Sequence, residues 1–332
     1  MGGDNAPHEI IKGAIESLSM KGFDMVLVGD ENIIKEELAL YPDYDSSRVS
    51  ILHASEVISN DESPVFALRR KKDSSTVKGI SLVKGDFDSA FISAGSTGAT
   101  LAGGLLIAGR LPGIDRPSLA VAIPAAKGGH FLLIDNGANV DCSVENLVQF
   151  AQMGSIYTEC VFGTSSPRVG LVNNGAEAHK GCSLTKTAYE ELQKLENINF
   201  TGNVEPRYLF SGQVDVAVCD GFVGNAILKC CEGLGMMIFS ELKNSLHSGG
   251  FLTKIGALLV KKKLYTLKSM FNYEEYGGAP FLGVNANIIK IHGSSKSSSV
   301  YHAVKQAQRM IENRIVEKIS DKLSQNIQQT NN

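Results

Sequence analysis

The sequence predicts an α/β protein with a largely parallel sheet covered by helices on both faces. Three observations point there: short apolar or alternating runs recur along the chain, stretches of helical periodicity separate most of them, and glycines gather where the runs end. With 332 residues, 43% apolar and 20% charged, the chain has the balance of an ordinary globular protein and can bury a substantial core.

In chain order, the expected strands are Met25 to Val28, Ser89 to Ile92, Leu119 to Ile123, Phe131 to Ile134, Val169 to Val172, Val214 to Cys219 and Ile288 to Ile291. Each is short and apolar or alternating, as buried strands are. Helices are expected over Leu101 to Arg110, Asn146 to Val161, Leu184 to Leu195, Ala226 to Leu246 and Val300 to Leu323. Ser89 to Gly109 carries no charge and resembles a membrane span in length, but its glycines, serines and threonines make it too polar. Strand, turn and helix is the better reading, and no transmembrane segment is expected. The opening MGGDNAPHEI lacks the basic and apolar stretches of a secretory signal, so export is not expected.

A net charge of -3 argues against a surface adapted as a whole to nucleic acid. Six cysteines, at 142, 160, 182, 219, 230 and 231, form no CxxC pair and no zinc-like spacing with histidine. They read as small core residues in a reducing cytoplasm. No GxGxxG follows the first strand, and GxxxxGK[ST], GxSxG and HExxH are all missing from the sequence. Dinucleotide, nucleoside-triphosphate, covalent and metal-dependent readings therefore have no direct support, and neither metal nor organic cofactor is expected.

Function in such sheets gathers where strands end and helices begin. SAGSTGA (93–99), DNGANVD (135–141), CDGFVGN (219–225) and HGSS (292–295) all follow an expected strand. Glycine lets the backbone approach a ligand, and the free N–H groups of a helix start favour an anion. Any one such loop is explained by turn sterics alone; four together point to a cleft for a phosphate-bearing or anionic substrate.

The stretch Leu242 to Tyr273 carries six lysines and no Asp or Glu. Phe251, Leu252, Ile255, Leu258 and Leu259 supply apolar surface beside Lys261, Lys262 and Lys263, and Gly249 and Gly250 interrupt the helical pattern. A basic, amphipathic helical hairpin over 236–271 is expected to protrude from the sheet. It could pack on a second subunit, lie on an anionic membrane or receive an acidic protein, and the plain alternative is a helix whose apolar face is core.

MGGDNAP (1–7), RRKKDSS (69–75), SAGSTGA, DNGANVDC (135–142), FTGNVE (200–205), CDGFVGNAILK (219–229), YEEYGGAPFLGVN (273–285) and HGSS follow one another over nearly the whole chain. In order and spacing they resemble the bacterial fatty acyl-(acyl carrier protein):phosphate acyltransferases. The resemblance implies transfer of a fatty acyl group from the carrier-protein thioester to inorganic phosphate. It also implies the three-layer α/β/α sandwich of the isocitrate/isopropylmalate dehydrogenase-like fold, in one acyltransferase domain over 1–332 with two lobes around a cleft. Family members are homodimers associated peripherally with the membrane, and their pathway continues with a membrane-bound glycerol-3-phosphate acyltransferase.

The chemistry suits such residues. Phosphate is already anionic, and a thiol of pKa about 8.5 leaves without a strong acid, so the protein's task is to hold two anionic reactants and stabilise an oxyanion. On the resemblance, Lys180, in EAHKG after the strand at 169–172, supplies that charge, although most lysines are merely solvated. Asn225 is the second catalytic candidate; as a residue near a helix start it could equally be a cap. Asp4, Ser96, Thr97, Gly98, Asn139, Asn203, Gly224 and His292 are expected to line the substrate site. Ser96 stands where the family has asparagine, NNGAEAHKG is a diverged loop, and Pro206 replaces a usual glycine. The family also has a short strand before MGGD; with Met1 as the motif's own methionine, either a longer chain or an open sheet edge is expected. An acyl-coenzyme A:phosphate transferase of phosphotransacetylase type, a dehydrogenase of the same fold and a non-catalytic membrane scaffold remain as alternatives.

Overall fold

The computed structural model describes residues 1–270 and 277–330, so Tyr273 to Tyr276 of the YEEYGG string lie outside the described residues, as do the side chains of Phe251 and Leu252. The chain opens with α1 (His8–Ser17), β1 (Met25–Gly29), α2 (Glu31–Leu38) and β2 (Val49–His53). β1 and β2 pair in parallel as a small separate sheet. Then follow α3 (Pro64–Arg70), α4 (Ser75–Val83), β3 (Ala90–Ser93) and α5 (Thr97–Gly103), which runs into a wider turn at Gly104–Ala108. The run from Ser89 to Gly109 is thus strand, turn and helix, as its polarity requires.

The remaining elements build the main sheet: β4 (Ser118–Pro124), β5 (His130–Ile134), α6 (Val144–Phe162), β6 (Arg168–Val172), α7 (Ser183–Lys194), β7 (Asn199–Val204), β8 (Val216–Val218), α8 (Gly221–Ser248), α9 (Phe251–Met270), β9 (Ala279–Leu282), β10 (Asn287–Lys290), α10 (Ser297–Glu312) and α11 (Ile315–Thr330). Eight strands lie in the order β3-β10-β9-β4-β5-β8-β6-β7. The flanks are parallel, but β9 is antiparallel to both β10 and β4, and β4 to β5. The sheet is therefore mixed. The sequence missed β9 because a four-residue strand holding Pro280 carries little periodic signal.

Strand alternation builds two cores. Leu132 and Ile134 of β5 pack toward α6, α10 and α11, while Phe131 and Leu133 point the other way to Val121, Leu209 and Leu228; all four β5 side chains have no exposed surface. Burying each such side chain contributes about 1.5–3 kcal/mol. α6 lies so close on the sheet that a Cβ on Gly154 would sit 2.7 Å from Val216 Cγ1. A capping box between Ser143 and Asn146 starts that helix, and Gly163, at φ 71°, ends it. The single expected helix at Val300 to Leu323 is two, α10 and α11, parted at Asn313 and Arg314, where Arg314 takes φ 51°.

A cavity of about 390 Å³ separates the edges of β1 and β3 and is lined by apolar side chains such as Leu27, Phe91 and Val304. On the far side, α8 and α9 form the expected hairpin, with the break at Gly249 between them and α9 packed back on α8. Among the described residues α8 is long and apolar enough to cross a membrane by length and composition. Its first turns nevertheless belong to the fold, because Asp220 caps it and Gly221, Gly224 and Leu228 are buried.

Candidate active site

β5, β8 and β6 run parallel, so the segments that follow them share one edge of the sheet. Asp135, at the end of β5, is the hub of that edge. Its Oδ1 accepts the Leu119 and Asn136 N–H groups, both at 2.8 Å, and its Oδ2 accepts the Asn139 N–H at 2.6 Å and the Asn139 amide at 3.1 Å. Burial outweighs these four donors and pushes its pKa from 3.8 up to about 6. The Asn139 carbonyl in turn accepts the Gly221 N–H at 2.7 Å, so the 135–141 loop holds the start of α8. A Cβ on Gly224 would overlap the Asp135 carbonyl oxygen, and Gly137, at φ 97°, lies against Asn225. These glycines are required by backbone approach as much as by any ligand.

Asn225 faces a cleft of about 300 Å³. Leu119 and Val121 of β4 form its floor, and Asn225, Leu228, Lys229 and Glu232 form one wall. Their spacing, i, i+3, i+4 and i+7, is one face of α8. The opposite side comes from Asp4, Thr97, Lys290, His292 and Gly293. The Asp4 N–H donates to the Gly293 carbonyl at 2.8 Å, which fixes the N-terminal loop to the end of β10. His292 Nδ1 lies 3.2 Å from the Ser294 N–H it accepts and 2.8 Å from the Ser294 hydroxyl, so the neutral ring carries its proton on Nε2.

Lys180 and Asn203 form a separate cluster beyond β6. The Asn173 amide donates to the Lys180 carbonyl at 3.1 Å and to Asn203 Oδ1 at 3.2 Å, while the Asn203 amide donates to the Glu177 carbonyl at 2.9 Å. Lys180 is half-buried, its methylenes close to Gly175. It shares the sheet edge with Asp135 and Asp220 but is not among the residues lining the cleft. Ser96 is buried and caps α5, accepting the Ala99 N–H at 3.3 Å. Gly98 packs on Pro64. Asn139 is spent on Asp135 and on the Pro117 carbonyl at 2.8 Å. Among the described residues no three His, Cys, Asp or Glu side chains cluster as a metal site.

Residues 1–318 match the family described as Fatty acid synthesis protein. A phosphate acyltransferase of Clostridioides difficile (strain 630) is 45% identical over 317 residues, which span 96% of this chain and 92% of the relative. One of Halothermothrix orenii is 49% identical over 318 residues, spanning 95% and 94%. The chain belongs to the phosphate acyltransferase family. It is an acyltransferase enzyme of fatty acid synthesis, and the alternatives of a dehydrogenase and of a non-catalytic scaffold are set aside.

The fold of this phosphate acyltransferase is also that of two solved structures. The phosphotransacetylase from Staphylococcus aureus matches with a TM-score of 0.58 at 16% identity, covering 91% of each chain. The branched-chain phosphotransacylase from Enterococcus faecalis V583 matches with 0.55 at 14%, covering 93% of this chain and 96% of its own. At such identities the likeness concerns fold alone.

Of the expected substrate-site residues, the phosphate acyltransferase cleft gathers Asp4, Thr97 and His292, and of the two catalytic candidates it takes Asn225; Gly224, Asn139, Ser96 and Gly98 shape the backbone around it, and Lys180 and Asn203 sit apart. Sequence reasoning missed most of the other cleft residues, among them the polar Asn60, Asn136, Lys229, Glu232 and Lys290. The signal for Lys290 was present, since a lysine inside Ile288–Ile289–Lys290–Ile291 is out of place in a buried strand.

Proposed function

We propose that this enzyme transfers a fatty acyl group from the thioester of acyl carrier protein to inorganic phosphate. A phosphate oxygen attacks the thioester carbonyl carbon, the C–S bond breaks, and acyl phosphate and the carrier thiol are released. The cleft supports this most directly. Asn225 stands at its wall on a helix start that Asp135, Asn139 and Gly221 hold rigidly, so its amide can donate to the carbonyl oxygen as negative charge develops. Thr97 and His292 Nε2–H add donors from the other side. Lys180, on the neighbouring strand end, is the candidate for charge supplied from outside the cleft as described. Phosphate-dependent release of thiol from long-chain acyl carrier protein, with acyl phosphate identified as product, tests the reading; release only from short-chain acyl-coenzyme A would replace it with a phosphotransacetylase-type reaction.

In this reading the chain is one acyltransferase domain, two lobes of the isocitrate/isopropylmalate dehydrogenase-like fold around the cleft. The hairpin over 236–271 serves dimer and membrane contact at the cytoplasmic face, near the membrane-bound glycerol-3-phosphate acyltransferase that would take the product. The surface of the hairpin supports this. Leu258 is 71% and Leu259 80% exposed, Met236 is 70% exposed, and Lys261, Lys262 and Lys263 are exposed beside them. Apolar side chains beside basic ones suit an anionic bilayer, at about 1 kcal/mol per lysine. Leu258→Glu with Leu259→Glu is expected to abolish co-sedimentation with anionic vesicles while the thiol-release rate in solution holds; unchanged sedimentation would remove the membrane contact from the proposal.

A further inference from the structure

Lys290 closes β10 with 7% of its surface exposed, between Ile289 and Ile291, and it lines the cleft. A buried ammonium is costly unless it is paired. Here its Nζ donates to the carbonyl of Ile291, the next residue along. Among the described residues no carboxylate lies within ion-pair distance of it. An ammonium has three donors, and one acceptor is far from satisfying it.

The other charged and titratable groups around the cleft do not meet the need. Asp4, from the N-terminal loop, is exposed and acts on Lys290 only through space. Glu232, on α8, is bound at 2.6 Å by Lys229 of the same helix. His292 is held by Ser294. β4 and β9 offer only an apolar floor. Two buried acceptors in the same lining receive no hydrogen bond from the described residues, Asn136 Oδ1 and Glu232 Oε1, and either can accept from the P–OH of monohydrogen phosphate.

We propose that Lys290 binds the anionic acceptor, its ammonium taking an oxygen of inorganic phosphate in the cleft. The assignment rests on the phosphate-dependent reading above and names the residue that would hold the acceptor. The energetics agree with the geometry. Burial lowers the pKa of Lys290 from 10.5 to about 8, with Asp4 pulling it back up. A bound phosphate would restore the charged form, so binding weakens as pH rises through about 8. The alternative is a lysine that merely pins the Ile291 carbonyl.

The test is direct binding of inorganic phosphate to the full-length enzyme by calorimetry, alongside Michaelis constants for phosphate and for the acyl donor, in wild type, Lys290→Met and Lys290→Arg. Expected for Lys290→Met is a loss of phosphate affinity of about 10- to 100-fold, an acyl-donor KM within about twofold, and a melting temperature without phosphate no lower than wild type, because a buried charge is gone. Lys290→Arg should retain binding within a few-fold and lose the weakening near pH 8, which a structural pin would not do. Undiminished phosphate binding by Lys290→Met overturns the proposal. A rise confined to the acyl-donor KM also overturns it, placing the lysine on the acyl donor instead. Should Lys290→Met not fold, a Lys290→Arg profile that still falls at pH 8 overturns it. Lys290-dependent phosphate binding without thiol release would leave the anion site standing and remove the reaction instead.

Discussion

Replacing Asp135 with asparagine keeps the size of the side chain and removes its titration, which isolates the effect of a buried carboxylate at the hub of the site. The rise from 3.8 to about 6 corresponds to roughly 3 kcal/mol at neutral pH. Its sign follows from the direction. The folded state holds the proton more tightly than the unfolded chain, so this stabilisation is complete below about pH 4 and disappears as pH rises through about 6. Urea unfolding of wild type and Asp135→Asn, compared at each pH from 7 down to 4.5, cancels the acid response of the other carboxylates. The wild type should gain on the variant by most of those 3 kcal/mol as pH falls. At pH 7 the two should lie within about 2 kcal/mol, because the amide sheds the charge cost but turns an N–H₂ toward donors that Asp135 now accepts, at about 1–3 kcal/mol for a lost partner. Activity should fall about tenfold or more, since the 135–141 loop no longer clamps Gly221 and Asn225 drifts. A stability difference that stays flat with pH, or grows toward pH 7, would mean that the four donors outweigh burial and would refute the reasoning.

Gly224→Ala forces a Cβ into the Asp135 carbonyl oxygen, which is backbone and cannot step aside; a loss of at least about 2 kcal/mol in urea unfolding, together with lost activity, is expected. Asn225→Ala should lower kcat by about 10²–10³-fold at unchanged melting temperature, because the side chain is exposed and caps nothing. Lys180→Ala, measured beside it, should lower kcat while phosphate affinity holds; an unchanged rate would leave this lysine as a loop residue tied to Asn173 through its carbonyl.

Strands β3, β5, β6, β8 and β10, the helices over 144–162 and 183–194 and the hairpin break at Gly249 were legible because each rests on a local signal, an apolar run, a 3.6-residue period or a paired glycine, whereas β7, with Thr201, Gly202 and Asn203 inside it, was not. The small N-terminal sheet was only half visible, since Val49–His53 alternates weakly and ends in His53. Antiparallel β9 could not be seen, because strand direction is set by partners distant in sequence. The site divided in the same way. Glycine-rich strand ends marked Thr97, Asn225 and His292, but glycine does not say which side chain enters the cleft. Gly137 and Gly224 are there for backbone packing, and Asn139 is consumed by Asp135. Lys290 carries no such mark because it lies inside a strand, ahead of the glycine-rich loop that follows.

The mixed sheet explains why the glycine-rich loops do not converge on a single point. In an all-parallel sheet every carboxyl end lies at one edge and one crevice collects them. Here β3 and β10 point one way and β5, β8 and β6 the other, so SAGSTGA and HGSS end at one edge and DNGANVD and CDGFVGN at the opposite one. The cleft must run across the face between them, along β4 from Leu119 toward Ala122 and along α8 from Asn225 to Glu232. Both paths are about 10 Å long by strand and helix rise. A phosphate in line with a thioester carbonyl spans a similar length once a hydrogen bond is added at each end. A donor at one end and a cation at the other can therefore act on different reactants. On the proposed reaction, Asn225 meets the carbonyl oxygen and Lys290 the phosphate, with the apolar floor of β4 between them.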